Sequence, residues 1–217
     1  MNTASLQVHE AEVEFFRAAV TRVAPLSARS FAAVVPKLAV RELTKGGHLL
    51  RAGELAREVA LVVSGLLREH FVLADGTDRT KAFVSRGAFS GSLADLLSGQ
   101  PSRAWIVAER PTRVLTVAYD ALASVARTDP GWARFAANIT QALLLIKAER
   151  EYELLGLDAA ARYVAFQRRY PGLEAEVAAR HVASYVGITP VHLSRLRRAR
   201  TQEARERACA RAARRPG

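Results

Sequence analysis

From Leu38 to Ala118 the chain is a succession of short apolar runs, most of them closed by a glycine-containing turn, and few folds accommodate that pattern. The runs are LAVREL, KGGHLL, EVALVV and LLREHFVL joined by Ser64-Gly65, then RTKAFV, RAWIVAE and RVLTVA. Many short β-rich segments with regular turn signals predict an all-β barrel or jelly roll. Asp75-Gly76, between Val72 and Thr80, is a strong hairpin turn.

Helical patterns flank this core. Residues 6–23 place Val8, Val13, Phe16, Val20 and Val23 near helical spacing, and a short second helix is expected from Ser27 to Val35, ending before Pro36. Asp129-Pro130 opens a long helix, with an N-capping carboxylate followed by a residue suited to the first helical position. Along it Phe135, Ile139, Ala142, Ile146, Glu149 and Glu153 recur at steps of three and four, while Leu143, Leu144 and Leu145 widen the apolar surface. Such a helix has to bury two faces, one on its own barrel and one on something else, and a second copy of the chain is the natural partner. The interface is expected at Phe135, Ile139, Ala142, Leu143 and Ile146. Gly156 ends this helix, Asp158 caps the next, Pro171-Gly172 breaks it, and further helices are expected over Glu174–Val186 and from Pro190 onward.

The net charge of +11 is unevenly placed. Residues 162–217 hold thirteen arginines against four glutamates, a net of +9, while the first 161 residues are close to neutral. Arginine gathered at one end is the electrostatic footprint of a polyanion binder. No apolar run approaches the roughly 20 residues of a bilayer span, and the N-terminus lacks a basic-then-apolar leader, so a cytoplasmic protein is expected. The single Cys209 excludes an internal disulfide, a cysteine-ligated iron–sulfur cluster and a cysteine-based zinc site. His48, His70, His181 and His192 lack metal-ligand spacing, so no metal is expected. No GxSxG, phosphate loop or paired-carboxylate motif is present, and Ser92 and Asp95, close in sequence, have no assignable triad histidine, so no enzyme is expected.

Residues 178–200, AARHVASYVGITPVHLSRLRRAR, meet the demands of a helix-turn-helix. Ala183 permits close helix approach, Gly187 stands where the turn needs a glycine conformation, and Thr189-Pro190 starts the second helix. Val182, Val186, Ile188, Leu193 and Leu196 form the apolar side. Thr189, Val191, His192, Ser194, Arg195, Arg197 and Arg198 are the candidates for base edges and phosphates of double-stranded DNA.

In the order of its motifs the chain resembles the cyclic-AMP receptor / fumarate-nitrate regulator (CRP/FNR) family. The resemblance runs from about Thr44 to Arg198. It rests on GxxLxxGE (Gly47 to Glu54), VVSG (Val62 to Gly65), GAFSG (Gly87 to Gly91), Arg103-Ala104, the Asp-Pro helix start, Leu157-Asp158 at the interdomain hinge, and the position of the helix-turn-helix. It implies an α+β chain: a double-stranded β-helix, cyclic-nucleotide-binding-like sensor over 1–127, a dimerisation helix over 128–157, and a helix-turn-helix DNA-binding domain with a basic tail over 158–217. It also implies a homodimer on an inverted-repeat DNA site, and RNA polymerase as a further partner.

The resemblance places an effector pocket at Phe89, Gly91, Ser92, Leu93, Ser102, Arg103, Ala104 and Lys147. The departures bear on function. The nucleotide-binding members' ribose-binding glutamate falls at Ser92, their phosphate-binding arginine at Ser102, and their base-contacting hydroxyls at Lys147 and Ala148. Cyclic AMP is therefore not expected as effector, and any small-molecule effector is unidentified. A bulge could turn Arg103 inward. Only YPGLEAE precedes the helix-turn-helix and no strand pattern follows Arg200, so the family's wing is expected to be missing. A second reading is a ligand-binding regulatory module whose basic tail contacts a protein or an RNA.

Overall fold

A computed structural model of the chain describes the backbone of residues 7–213 and the side chains of residues 7–202. The chain divides into two compact units, residues 1–149 and 150–217.

The first unit is the expected jelly roll with helices against it. Eight strands, β1 (Ala39–Leu43), β2 (His48–Leu50), β3 (Glu58–Ser64), β4 (Leu66–Val72), β5 (Asp78–Ser85), β6 (Phe89–Ser90), β7 (Ala104–Ala108) and β8 (Thr112–Ala118), form two antiparallel four-stranded sheets. Their orders are β1-β8-β3-β6 and β2-β7-β4-β5. Alternation along the strands turns Val62, Leu67, Val84, Ile106 and Val114 into the space between the sheets. The tight β3–β4 link requires Gly65, at φ +94°, because a Cβ there would lie 2.3 Å from Thr112 Oγ1 and 2.6 Å from the Pro111 carbonyl oxygen.

The opposite face of the first sheet carries a second core, where Leu61, Leu115 and Val117 meet helices α1 (Glu10–Thr21), α2 (Ala28–Ala32) and the start of the long helix through Phe16, Phe31, Trp132 and Phe135. Helix α2 is shorter than expected. Ser27 caps it, and Pro36 falls in a separate 3-10 turn, Val35–Lys37, since proline cannot supply the N–H that a continuing helix needs. Helix α3 (Leu93–Ser98) follows β6, and α4 (Tyr119–Ala126), not foreseen in the sequence, follows β8.

Helix α5 runs from Pro130 to Gly156. As the sequence predicts, Asp129 caps it by accepting from the Trp132 N–H at 3.0 Å. Its first half belongs to the first unit: the Trp132 indole donates to the Ser30 carbonyl at 2.8 Å and Asn138 donates to the Val23 carbonyl at 2.8 Å.

The second unit is helical: α6 (Ala159–Arg169), α7 (Ala179–Val186) and α8 (Pro190–Ala213). Asp158 caps α6 through the Ala161 N–H at 2.8 Å, as expected. Phe166, Tyr170 and Tyr185 form an aromatic triangle with centroids 5.4–5.6 Å apart. The expected helix over Glu174–Val186 is instead a 3-10 turn, Leu173–Ala175, then a loop, then α7. Gly172, at φ +77°, starts the turn, and the Glu174 carboxylate is held by Tyr163, Gln167 and Arg197. No strand lies among the described residues beyond Ala118.

Candidate nucleic-acid interface and sensor site

The α7–turn–α8 segment is a helix-turn-helix. Gly187 sits at φ +79°, and its N–H and that of Ile188 return to the Ala183 carbonyl at 2.9 and 3.0 Å, closing α7 with a left-handed cap. Thr189 Oγ1 then accepts from the His192 N–H at 3.2 Å to start α8, and Pro190 takes the first helical position. Val182, Ala183, Val186 and Leu193 are buried, with Ile188 and Leu196 partly covered. The sequence places the inward face correctly.

Of the seven residues assigned to DNA, six are exposed on one side: Thr189, Val191, His192, Ser194, Arg195 and Arg198. Arg197 is a correction. Four residues past Leu193 on α8, it turns inward, and its Nε donates to Glu174 Oε1 at 2.5 Å. That carboxylate also takes the Tyr163 hydroxyl at 2.6 Å and the Gln167 amide at 3.2 Å. Burial opposes the Glu174 charge, but these donors outweigh it and hold the carboxyl below its ordinary value. Burial and the same carboxylate push the Tyr163 phenol up to about 12. Arg197 therefore braces α8 against the Leu173–Ala175 turn.

Four other residues tie the helices of this unit together, and the sequence singled out none of them for this role. Arg162 donates from Nε to the Val186 carbonyl at 2.8 Å and from Nη1 to the Leu157 carbonyl at 2.6 Å, clamping the end of α7. Glu153, only 2% exposed, accepts from Arg150 at 2.7 Å and from Arg169 at 2.6 Å. Arg150 also covers the Tyr185 ring at 4.0 Å and donates to the Tyr185 carbonyl. The last turns of α5 are thus joined to α6 through a buried carboxylate and to α7 through Arg150.

In the first unit the positions assigned to the effector pocket part company. Ser92 and Ser102, ten residues apart, converge on one acceptor: their hydroxyls donate to Asp95 Oδ2 at 2.5 and 2.7 Å. All three residues are buried. Ser102 is fixed further by its backbone, which pairs with Gly53 and Glu54 at 2.7 and 2.8 Å. Arg103 is exposed between buried Ser102 and Ala104, so no bulge turns it inward. Gly91 and Leu93 are half-buried at the start of α3, and Lys147 is exposed on α5.

Phe89 does not belong with this group. Adjacent residues on a strand face opposite ways, so while Ser90 points to the buried carboxylate of Glu69, at 3.0 Å, Phe89 packs edge-on to Phe135 with centroids 5.5 Å apart. Phe135 is buried by the same contact and Ile139 is partly buried beside it. Leu143 is half-buried, while Ala142 and Ile146 are exposed.

The fold has counterparts. Residues 40–129 match the family model of the cyclic nucleotide-binding domain. No curated protein matches the chain. Among solved structures, FixK2 from Bradyrhizobium japonicum is 24% identical over 77% of this chain and 86% of its own, with a TM-score of 0.67. The c-di-GMP responsive global regulator CLP of Xanthomonas campestris is 16% identical, covering 82% and 93%, with a TM-score of 0.66. A CooA mutant from Carboxydothermus hydrogenoformans is 19% identical, covering 78% and 79%, with a TM-score of 0.64.

Residues 40–129 are thus similar to a cyclic nucleotide-binding domain, and a long helix and a helix-turn-helix follow them; in fold the chain is similar to these solved structures, as its motifs led one to expect. Among the described residues no helix is long and apolar enough to cross a membrane, and no three His, Cys, Asp or Glu side chains could share a metal ion.

The nucleotide that this domain family implies does not fit the residues present. A cyclic nucleotide carries an anionic phosphate and needs donors or a cation facing it. Here the two corresponding positions are serines turned toward a carboxylate.

Proposed function

We propose that the protein is a cytoplasmic DNA-binding transcriptional regulator, acting as a homodimer on an inverted-repeat site with RNA polymerase as its downstream partner, and that cyclic AMP is not its effector. The observation that carries this is the reading face of α8. Thr189, Val191, His192, Ser194, Arg195 and Arg198 stand exposed together, on a helix that Arg197 ties to Glu174 and that follows an α7 whose end is clamped by Arg162. A rigid helix with an uncommitted polar and basic face suits the major groove. Arg195 suits a bidentate contact to guanine, Val191 a thymine methyl, and Thr189 with the first-turn N–H groups a phosphate.

The second copy of the chain meets a different face of α5 from the one the sequence suggested. Gln141, Leu145, Ala148, Tyr152 and Leu155 follow one another at steps of four, three, four and three, the spacing of a coiled-coil seam. All are exposed: Leu145 63%, Tyr152 60% and Leu155 81%. Isolated apolar residues at a surface are ordinary, but a seam-spaced row of them marks an interaction face.

Promoter DNA flanking the protein's own gene tests the reading, by gel shift at two salt concentrations. Arg195→Ala is expected to cost about 1–3 kcal/mol on the cognate site and to relax preference at one base pair. Unchanged affinity and unchanged base preference would refute α8 as the reader.

A further inference from the structure

A serine hydroxyl has a single proton to donate. Ser92 and Ser102 both direct theirs at Asp95, and Ser90 directs its own at Glu69, whose other oxygen takes the Lys81 ammonium at 2.8 Å. Each of these hydroxyls is already committed as a donor. Ser102 Oγ also lies 3.1 Å from the Ala104 carbonyl oxygen and accepts the Ala104 N–H at 3.1 Å, so its proton has an acceptor within the protein in either orientation, and two buried carboxylates stand behind the three hydroxyls. Burial works against the Asp95 charge, but the hydrogen bonds from Ser92 and Ser102 and the nearby Arg103 and Lys81 keep its carboxyl below the ordinary value, so it is ionised at neutral pH. A phosphate drawn to Ser102 would find no proton there and a negative oxygen 2.7 Å behind the hydroxyl. Anion sites have the opposite wall, made of N–H groups, free hydroxyls and cations.

We infer that Asp95 is the specificity-determining residue of this site: by holding the protons of Ser92 and Ser102 it closes the domain to cyclic nucleotides and other small phosphate anions. The inference deepens the reading of this domain as a sensor and rests on it. It does not need the protein to bind DNA.

Calorimetry of the full-length protein with cyclic AMP tests it in three forms. The wild type gives no binding heat. Ser102→Arg supplies a guanidinium, but Asp95 captures it and binding does not appear. Ser102→Arg with Asp95→Asn releases that guanidinium to the phosphate, and affinity rises at least tenfold over the single variant. Binding by the wild type, equal affinity with and without Asp95→Asn, or no binding by the folded double variant overturns the inference. Because Ser102 is buried and arginine is large, Asp95→Leu alone is a second arm, which removes both acceptor oxygens with little change in shape. Millimolar inorganic phosphate should raise the melting temperature of that variant, followed by tryptophan fluorescence, and leave the wild type unmoved. Equal shifts also overturn it. Both arms read anion binding directly, so a failure of the DNA-binding proposal would appear separately, in the promoter assay.

Discussion

Replacing Glu153 by alanine should unfold one half of the protein and spare the other. The carboxylate is almost fully enclosed and joins Arg150 and Arg169 at 2.7 and 2.6 Å. A hydrogen bond to a charged group is worth about 1.5–3 kcal/mol, and removing one member of a buried ion pair costs about 3–5 kcal/mol because the remaining charge is uncompensated. Arg150 and Arg169 keep 16% and 24% of their side-chain surface in solvent, so each can turn partly to water, which places the loss near the lower end, about 3 kcal/mol. At roughly 0.05–0.15 kcal/mol per residue, a unit of the size of residues 150–217 has about 3–10 kcal/mol in total. The variant unit is therefore marginal. Urea denaturation separates the two halves, since the two tryptophans, Trp105 and Trp132, both lie in residues 1–149, whereas far-ultraviolet circular dichroism reports every helix. Tryptophan fluorescence should keep its wild-type midpoint while the dichroism signal gains an earlier transition. A loss below about 1 kcal/mol, or a fluorescence midpoint that moves by the same amount, would refute the reasoning.

Two further outcomes follow from the geometry. Leu145→Asp with Leu155→Asp places charges in the proposed seam and should give monomers in light scattering with an unchanged fluorescence transition, whereas Ile139→Asp should destabilise the first unit itself; a double variant that stays dimeric rules out this seam. Glu12 is held below its ordinary value of 4.5 first by its hydrogen bond from Arg113, and Asp95 and Glu174 are also lowered, so these groups contribute stability at neutral pH that is lost as pH falls through their folded values. The urea midpoint should fall gently as pH drops below about 6.5, because burial lowers the His48 imidazole, and steeply below about pH 4 as the carboxylates protonate; a midpoint that rises on acidification contradicts the assignments.

Local chemistry was legible in the sequence wherever one residue or a dipeptide sets the backbone. Asp75-Gly76, Asp129-Pro130, Asp158 and Gly187 with Thr189-Pro190 each produced the turn or cap expected of them. Long-range pairing was not legible. Periodicity shows that Phe135, Ile139 and Ile146 share a helix face, but not that Phe89, distant in sequence, covers Phe135. The basic pattern of α8 marks Arg197 as readily as Arg198, and only the fold brings Glu174 to one of them. Ser92 and Asp95 stand three residues apart, at hydrogen-bonding distance on a turn, which was a usable signal. Their third partner, Ser102, is delivered by the segment just before β7 and leaves no local mark.

The inward arginines change how the charge of the second unit should be counted. Of the thirteen arginines in residues 162–217, Arg162, Arg169 and Arg197 are engaged with carbonyls or carboxylates of their own unit. On DNA, each phosphate neutralised by a protein cation releases condensed counterions and steepens the dependence of log affinity on log salt by about 0.9. Three arginines per protomer engaged within the fold release none, so the slope should be shallower than the arginine total implies by roughly 2.7 for each protomer bound. In the proposed complex these three act as scaffold, and the affinity carried by the exposed face should survive in salt that would displace a protein holding DNA with all thirteen.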